Sequence, residues 1–170
     1  RSLEKKLDKQ HEGVSLTTIK NTSSDTEDIL VAYTVDNNII ISRYNALGEK
    51  IGDNVAVTSI SSVGALAAGD IDGDGVAEYV LTTAAGDDPW MVYYEPTGVL
   101  KRKFSAYTFS YKNGFDLAVT DYDADGKDDV ITAPYNSVAP IRVWSGKAKK
   151  IAGWYAFESR SLEALKLIVH

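Results

Sequence analysis

The chain has 170 residues, 44% hydrophobic and 25% charged, the balance of one globular domain with a real core. Its net charge is −6 and it has no cysteine, which excludes a basic nucleic-acid surface, a disulfide frame and thiol chemistry. No apolar run reaches 18 residues, so no membrane span is expected.

Residues 1–13 are polar and charged and read as a linker or a short helix. A repeat sets in at residue 14. Val14–Lys20 lines up with Gly64–Asp70 and with Phe115–Asp121, and the leucines Leu16, Leu66, Leu117 and Leu167 fall 50, 51 and 50 residues apart. Each of these runs reads as a first strand, buried on both sides. Second strands follow at Ile29–Val35, Tyr79–Thr83 and Val130–Thr132, rich in β-branched and aromatic residues. Third strands follow at Ile39–Tyr44, Trp90–Tyr94 and Ile141–Trp144, each ending in a glycine turn. Fourth strands are expected at 50–57, 99–109 and 149–157, and Asn113-Gly114 is a tight-turn signal before the third unit. Four strands in about 50 residues make one β-propeller blade. The reading is therefore all-β, with three four-stranded blades at 14–65, 66–116 and 117–170. Closed propellers have about four to eight blades. The expectation is thus a partial propeller or a segment of a larger ring, with Leu165–His170 opening a further unit.

Between the first and second strands of the last two units lie acidic loops. In Asp70-Ile71-Asp72-Gly73-Asp74-Gly75-Val76-Ala77-Glu78, acids occupy positions 1, 3, 5 and 9 and glycine position 6. Asp121-Tyr122-Asp123-Ala124-Asp125-Gly126-Lys127-Asp128-Asp129 repeats that pattern 51 residues later. Four carboxylates in nine residues repel one another, and a hard dication removes the repulsion. Ca²⁺ accepts six to eight oxygens in flexible geometry, whereas Mg²⁺ demands a tighter octahedron. The candidate ligands are Asp70, Asp72, Asp74 and Glu78 with the carbonyl of Val76, and Asp121, Asp123, Asp125 and Asp129 with the carbonyl of Lys127. An EF-hand is excluded, because position 12 is Leu81 in one copy and Thr132 in the other. Acidic turns without a metal are the alternative. The first unit carries Lys20, Thr22 and Ser24 where the acids of positions 1, 3 and 5 would stand, and only Asp28 matches position 9, so no Ca²⁺ is expected there.

The motif D-x-D-G-D-G-x-x-E running into a strand, preceded by Leu66-Ala67-Ala68-Gly69, resembles the calcium loop of integrin-like FG-GAP and VCBS repeats. In that family the loop joins the first two strands of a propeller blade, so the resemblance implies two structural Ca²⁺ ions at one rim. It implies a secreted or cell-surface module that binds protein or glycan, with other blades of the same or another chain closing the ring. The alternatives it leaves are the propeller portion of a secreted carbohydrate-active enzyme, such as a polysaccharide lyase, and a purely architectural segment. Tyrosine outnumbers phenylalanine ten to four and methionine occurs once, which favours an extracellular bacterial or archaeal setting.

No enzyme activity is expected in this chain. His11 and His170 stand near opposite ends and permit no Ser-His-Asp arrangement. Asp87, Asp88, Glu95 and Asp116 could supply a glycosidase pair, but nothing in the sequence selects two of them. Among the aromatics Trp90, Tyr93, Tyr94, Trp144, Trp154 and Tyr155, alternate residues are expected to pack between blades. Trp90 is the candidate for a ligand platform. Asn21-Thr22-Ser23 fits a glycosylation acceptor.

Overall fold

The computed structural model describes residues 12–21, 26–135 and 139–156. Within them the chain forms twelve strands and no helix, and so no helix long and apolar enough to cross a membrane. The first sheet comprises β1 (Glu12–Lys20), β2 (Glu27–Val35), β3 (Asn38–Tyr44) and β4 (Lys50–Val57). The second comprises β5 (Leu66–Gly69), β6 (Glu78–Thr82), β7 (Trp90–Tyr94) and β8 (Leu100–Ser105). The third comprises β9 (Phe115–Thr120), β10 (Asp129–Pro134), β11 (Ile141–Trp144) and β12 (Lys150–Trp154). Each is an antiparallel meander in chain order. The first strands lie side by side, β5 between β1 and β9.

The register reproduces the repeat rung by rung. Leu16, Leu66 and Leu117 pair with Val31, Leu81 and Thr132. Ile19, Gly69 and Thr120 pair with Asp28, Glu78 and Asp129, so the position-9 acids open equivalent rungs. The two cores are the two gaps between sheets. Leu30, Ala32, Ile39 and Ile41 of the first sheet meet Leu66, Leu81, Val92 and Tyr94 of the second. Val80, Met91 and Tyr93 on the other face of the second sheet meet Phe115, Leu117, Val130 and Trp144 of the third. With both faces covered, β6 is buried throughout, which is why Tyr79–Thr82 reads as an unbroken apolar run. Each fully buried large side chain contributes about 1.5–3 kcal/mol.

Four expectations need correction. β1 begins at Glu12, inside the segment read as a linker or helix, while residues 1–11 lie outside the described residues, as do His11 and the Leu165–His170 segment. β1 is not buried on both sides: Val14 and Leu16 are exposed, because the leucine that packs against the preceding sheet in the other two units has no described sheet before it here. The fourth strand expected over 99–109 stops at Ser105. The segment after it turns inward, burying Tyr107 and Tyr111 between the second and third sheets. There the Tyr107 hydroxyl donates to Pro140 O at 3.1 Å and the Tyr111 hydroxyl to Gly114 O at 2.6 Å. The last strand also ends earlier than expected, at Trp154 rather than 157.

Candidate metal centre

Both acidic loops close by one hydrogen-bond plan. Asp70 at position 1 accepts the N–H groups of Gly73, Asp74 and Gly75 at 2.8, 3.0 and 2.9 Å. Asp121 likewise accepts those of Asp125 and Gly126 at 3.1 and 3.0 Å. At position 5, Asp74 accepts from Val76 N and Asp125 from Lys127 N, at 2.8 and 3.0 Å. At position 9, Glu78 accepts from Ile71 N at 2.9 Å and Asp129 from Tyr122 N at 3.3 Å. Position 6 is left-handed in both copies, with Gly75 at φ 86° and Gly126 at φ 85°, which meets the reason for expecting glycine there. Position 4 is left-handed too, and the second loop tolerates Ala124 at φ 59°. Gly73 in the first copy was the only sign of it.

This folding gathers Asp70, Asp72 and Glu78 into one cluster and Asp121, Asp123 and Asp129 into another. Within each, three carboxylate oxygens lie within 4.8 Å of one another. Asp74 and Asp125 are outside these clusters, their carboxylates turned to the loop backbone. Val76 and Lys127 lie in the loops with their N–H groups bound as above. The donors are hard oxygens, and Asp72 Oδ1 is buried without a hydrogen-bond partner, so the residues present fit a hard cation. Glu78 and Asp129 are 2% and 4% exposed. Burial pushes the carboxyl groups of both above the usual range, and the charges of Asp72 on Glu78 and of Asp123 on Asp129 add to it. Asp72 is held below the usual range, first by its hydrogen bond from Lys101.

The loops also hold each other. Asp70 N donates to Asp128 Oδ2 at 2.9 Å, and Asp128 N donates to Asp70 O at 2.9 Å. Lys127 Nζ donates to Asp72 O at 2.8 Å. A Cβ on Gly69 would stand 2.2 Å from Val119 Cγ1 and 2.5 Å from Asp128 Oδ2, so this close approach requires glycine at 69. Between the loops lies a cavity of about 290 Å³, whose walls include Asp72, Glu78, Tyr93, Lys101, Asp125 and Asp129.

At the equivalent place in the first unit the acid is neutralised by the chain itself. Asp28 is 0% exposed; it accepts from Arg43 Nε at 2.8 Å and pairs with Arg43 Nη2 at 2.6 Å. Asn21 Nδ2 adds bonds to the same carboxylate at 3.1 and 3.2 Å, while Thr22 and Ser23 of the glycosylation signal lie outside the described residues. Sequence reasoning missed Arg43, Lys101 and the bridging role of Asp128. The lysine at position 1 of the first unit was the available sign that this unit manages its charge internally.

The four acids weighed as a glycosidase pair are each engaged by a neighbouring group. Asp87 accepts from Ser61 and Ser62, Asp88 pairs with Lys112, Glu95 lies 3.4 Å from Lys101, and Asp116 accepts from Leu117 N. Trp90 packs against Phe109 at 5.3 Å with Lys103 over its ring at 4.5 Å, so neither contact leaves it a bare platform. Tyr93, Tyr94 and Trp144 are buried between sheets, while Trp154 and Tyr155 are exposed. Comparison with known protein families and with curated proteins finds no match for this chain.

Proposed function

We propose that the chain is a calcium-stabilised β-propeller segment of the FG-GAP/VCBS type that acts as an extracellular binding module for protein or glycan. The observation that carries this reading is the pair of acidic loops. They share one hydrogen-bond plan and bring three carboxylates each to the start of a second strand. The three consecutive meanders, side by side along their first strands, support the propeller part of the reading. Each Ca²⁺ would be held by Asp70, Asp72 and Glu78, or by Asp121, Asp123 and Asp129. Each would neutralise a buried acid and pin the first strand of its sheet to the second. Bound weakly to moderately, such ions suit extracellular millimolar calcium.

Further units of the same kind pack against the outer sheets, where Val14, Leu16 and Ile29 are exposed on the first. The surface that supports a ligand role is aromatic. Tyr122, at position 2 of the second loop, stacks on Trp154 with ring centroids 6.3 Å apart, and both are exposed. A calorimetric calcium titration of chelator-treated protein, with melting at each end point, tests the metal reading. Two bound ions and a higher melting temperature are expected. No heat and no shift would leave two acidic turns and withdraw the calcium sites.

A further inference from the structure

We propose that the ammonium group of Lys101 is a built-in counter-cation of the first acidic loop, so that the two loops bind calcium unequally, the second more tightly. The inference rests on the reading of the loops as calcium sites and deepens it.

Lys101, the second residue of β8, forms an ion pair with Asp72 Oδ2. Its Nζ lies 3.6 Å from Glu78 Oε1 and 3.4 Å from Glu95 Oε1. Asp72 and Glu78 are two of the three members of the first cluster. A positive charge thus already stands at that cluster, on a side chain only 24% exposed.

Strand register shows that the second loop has no equivalent. Tyr94 pairs with Leu100 in the second sheet and Trp144 with Lys150 in the third, which makes Ile151 the counterpart of Lys101. An isoleucine supplies no charge. Among the described residues no lysine or arginine forms an ion pair with Asp121, Asp123 or Asp129. The three position-9 acids therefore form a graded series. Asp28 is fully paired with Arg43, Glu78 shares Lys101 with Asp72 and Glu95, and Asp129 has no cationic ion-pair partner among the described residues.

A dication entering the first loop must displace the Lys101 ammonium or bear its repulsion at a few ångströms. One entering the second loop has no ion pair to displace among the described residues: the Lys127 ammonium of that loop is turned to Asp72 O, and the lysines that line the neighbouring cavity form no ion pair with Asp121, Asp123 or Asp129. The asymmetry is also a device. While calcium is scarce, Lys101 supports the first loop, and rising calcium fills the second loop before the first.

The test is calcium titration by calorimetry of chelator-treated wild-type protein, Lys101→Met and Ile151→Lys, with melting curves at both end points. Wild type is expected to show two sites of unequal affinity. Lys101→Met should tighten the weaker site by about tenfold, leave the stronger one in place, and enlarge the calcium-induced rise in melting temperature. Ile151→Lys should weaken the stronger site by a similar factor. Two-site binding in which Lys101→Met leaves the weaker affinity unchanged or lowers it, or in which Ile151→Lys spares the stronger site, overturns the counter-cation role. Absence of calcium heat in all three proteins is a different failure, which removes the calcium reading and this inference with it.

Discussion

Replacing Arg43 by methionine keeps the aliphatic stem and removes the only charge facing Asp28 among the described ion pairs. Deleting one partner of a buried ion pair costs about 3–5 kcal/mol, because the other charge stays buried and uncompensated. Two features of the structure lower that figure. Arg43 is 27% exposed, so water reaches part of the space it leaves, and the Asn21 amide still donates to the carboxylate. A loss of about 2–4 kcal/mol is expected, or about 10 °C in melting temperature for a chain of this size. Thermal and urea melts of Arg43→Met, of Asp28→Asn and of the double variant supply the assay. The double variant should recover much of the loss, since a neutral amide no longer needs the guanidinium, and the cycle should give a coupling above about 1 kcal/mol. Neither single variant should change the number of calcium ions bound. A cost below about 1 kcal/mol, or additive losses in the double variant, would refute the view that Arg43 replaces a metal in the first unit.

Acid should act oppositely on the two forms of the protein. Burial raises Glu78 and Asp129 above their ordinary values of 4.5 and 3.8, so the calcium-free fold holds these protons more tightly than the unfolded chain does. That stabilisation is complete below the ordinary values and is lost as pH rises through the folded ones. Calcium has to displace the same protons. The gain in melting temperature on adding calcium should therefore shrink between pH 7.5 and about pH 5, and a gain that grows over that interval would contradict the assignment. Asp128→Ala removes the acceptor for Asp70 N–H from a residue that is not itself a candidate ligand. It should cost about 1–2 kcal/mol and weaken the first calcium site more than the second, and a calorimetric loss confined to the second site would count against the bridge between loops.

The features legible in the sequence were those that each unit decides for itself. Strand and turn chemistry within 50 residues placed all twelve strands, and glycine at position 6 of both loops announced the left-handed backbone found at Gly75 and Gly126. What escaped depends on partners the local pattern does not name. Arg43 meets Asp28 across 15 residues and one intervening strand turn, and Lys101 reaches Asp72 across 29. Asp128 meets Asp70 across 58, and only because Gly69 lets the two loops touch. Leu16, Leu66 and Leu117 are one residue type at one register, yet the first is 67% exposed and the others 6%. Burial there is a property of the gap between sheets, and no strand can declare it alone. The same argument applies to the charge balance of the two loops, which the nine-residue motif alone does not set. A nine-residue motif fixes where the carboxylates point, but the cation that answers them comes from the fourth strand in one unit and the third strand in another. In the remaining unit no described lysine or arginine forms an ion pair with them. Equal motifs therefore predict equal geometry and unequal affinity, and the register of β8 against β7 and of β12 against β11 is where that difference is written.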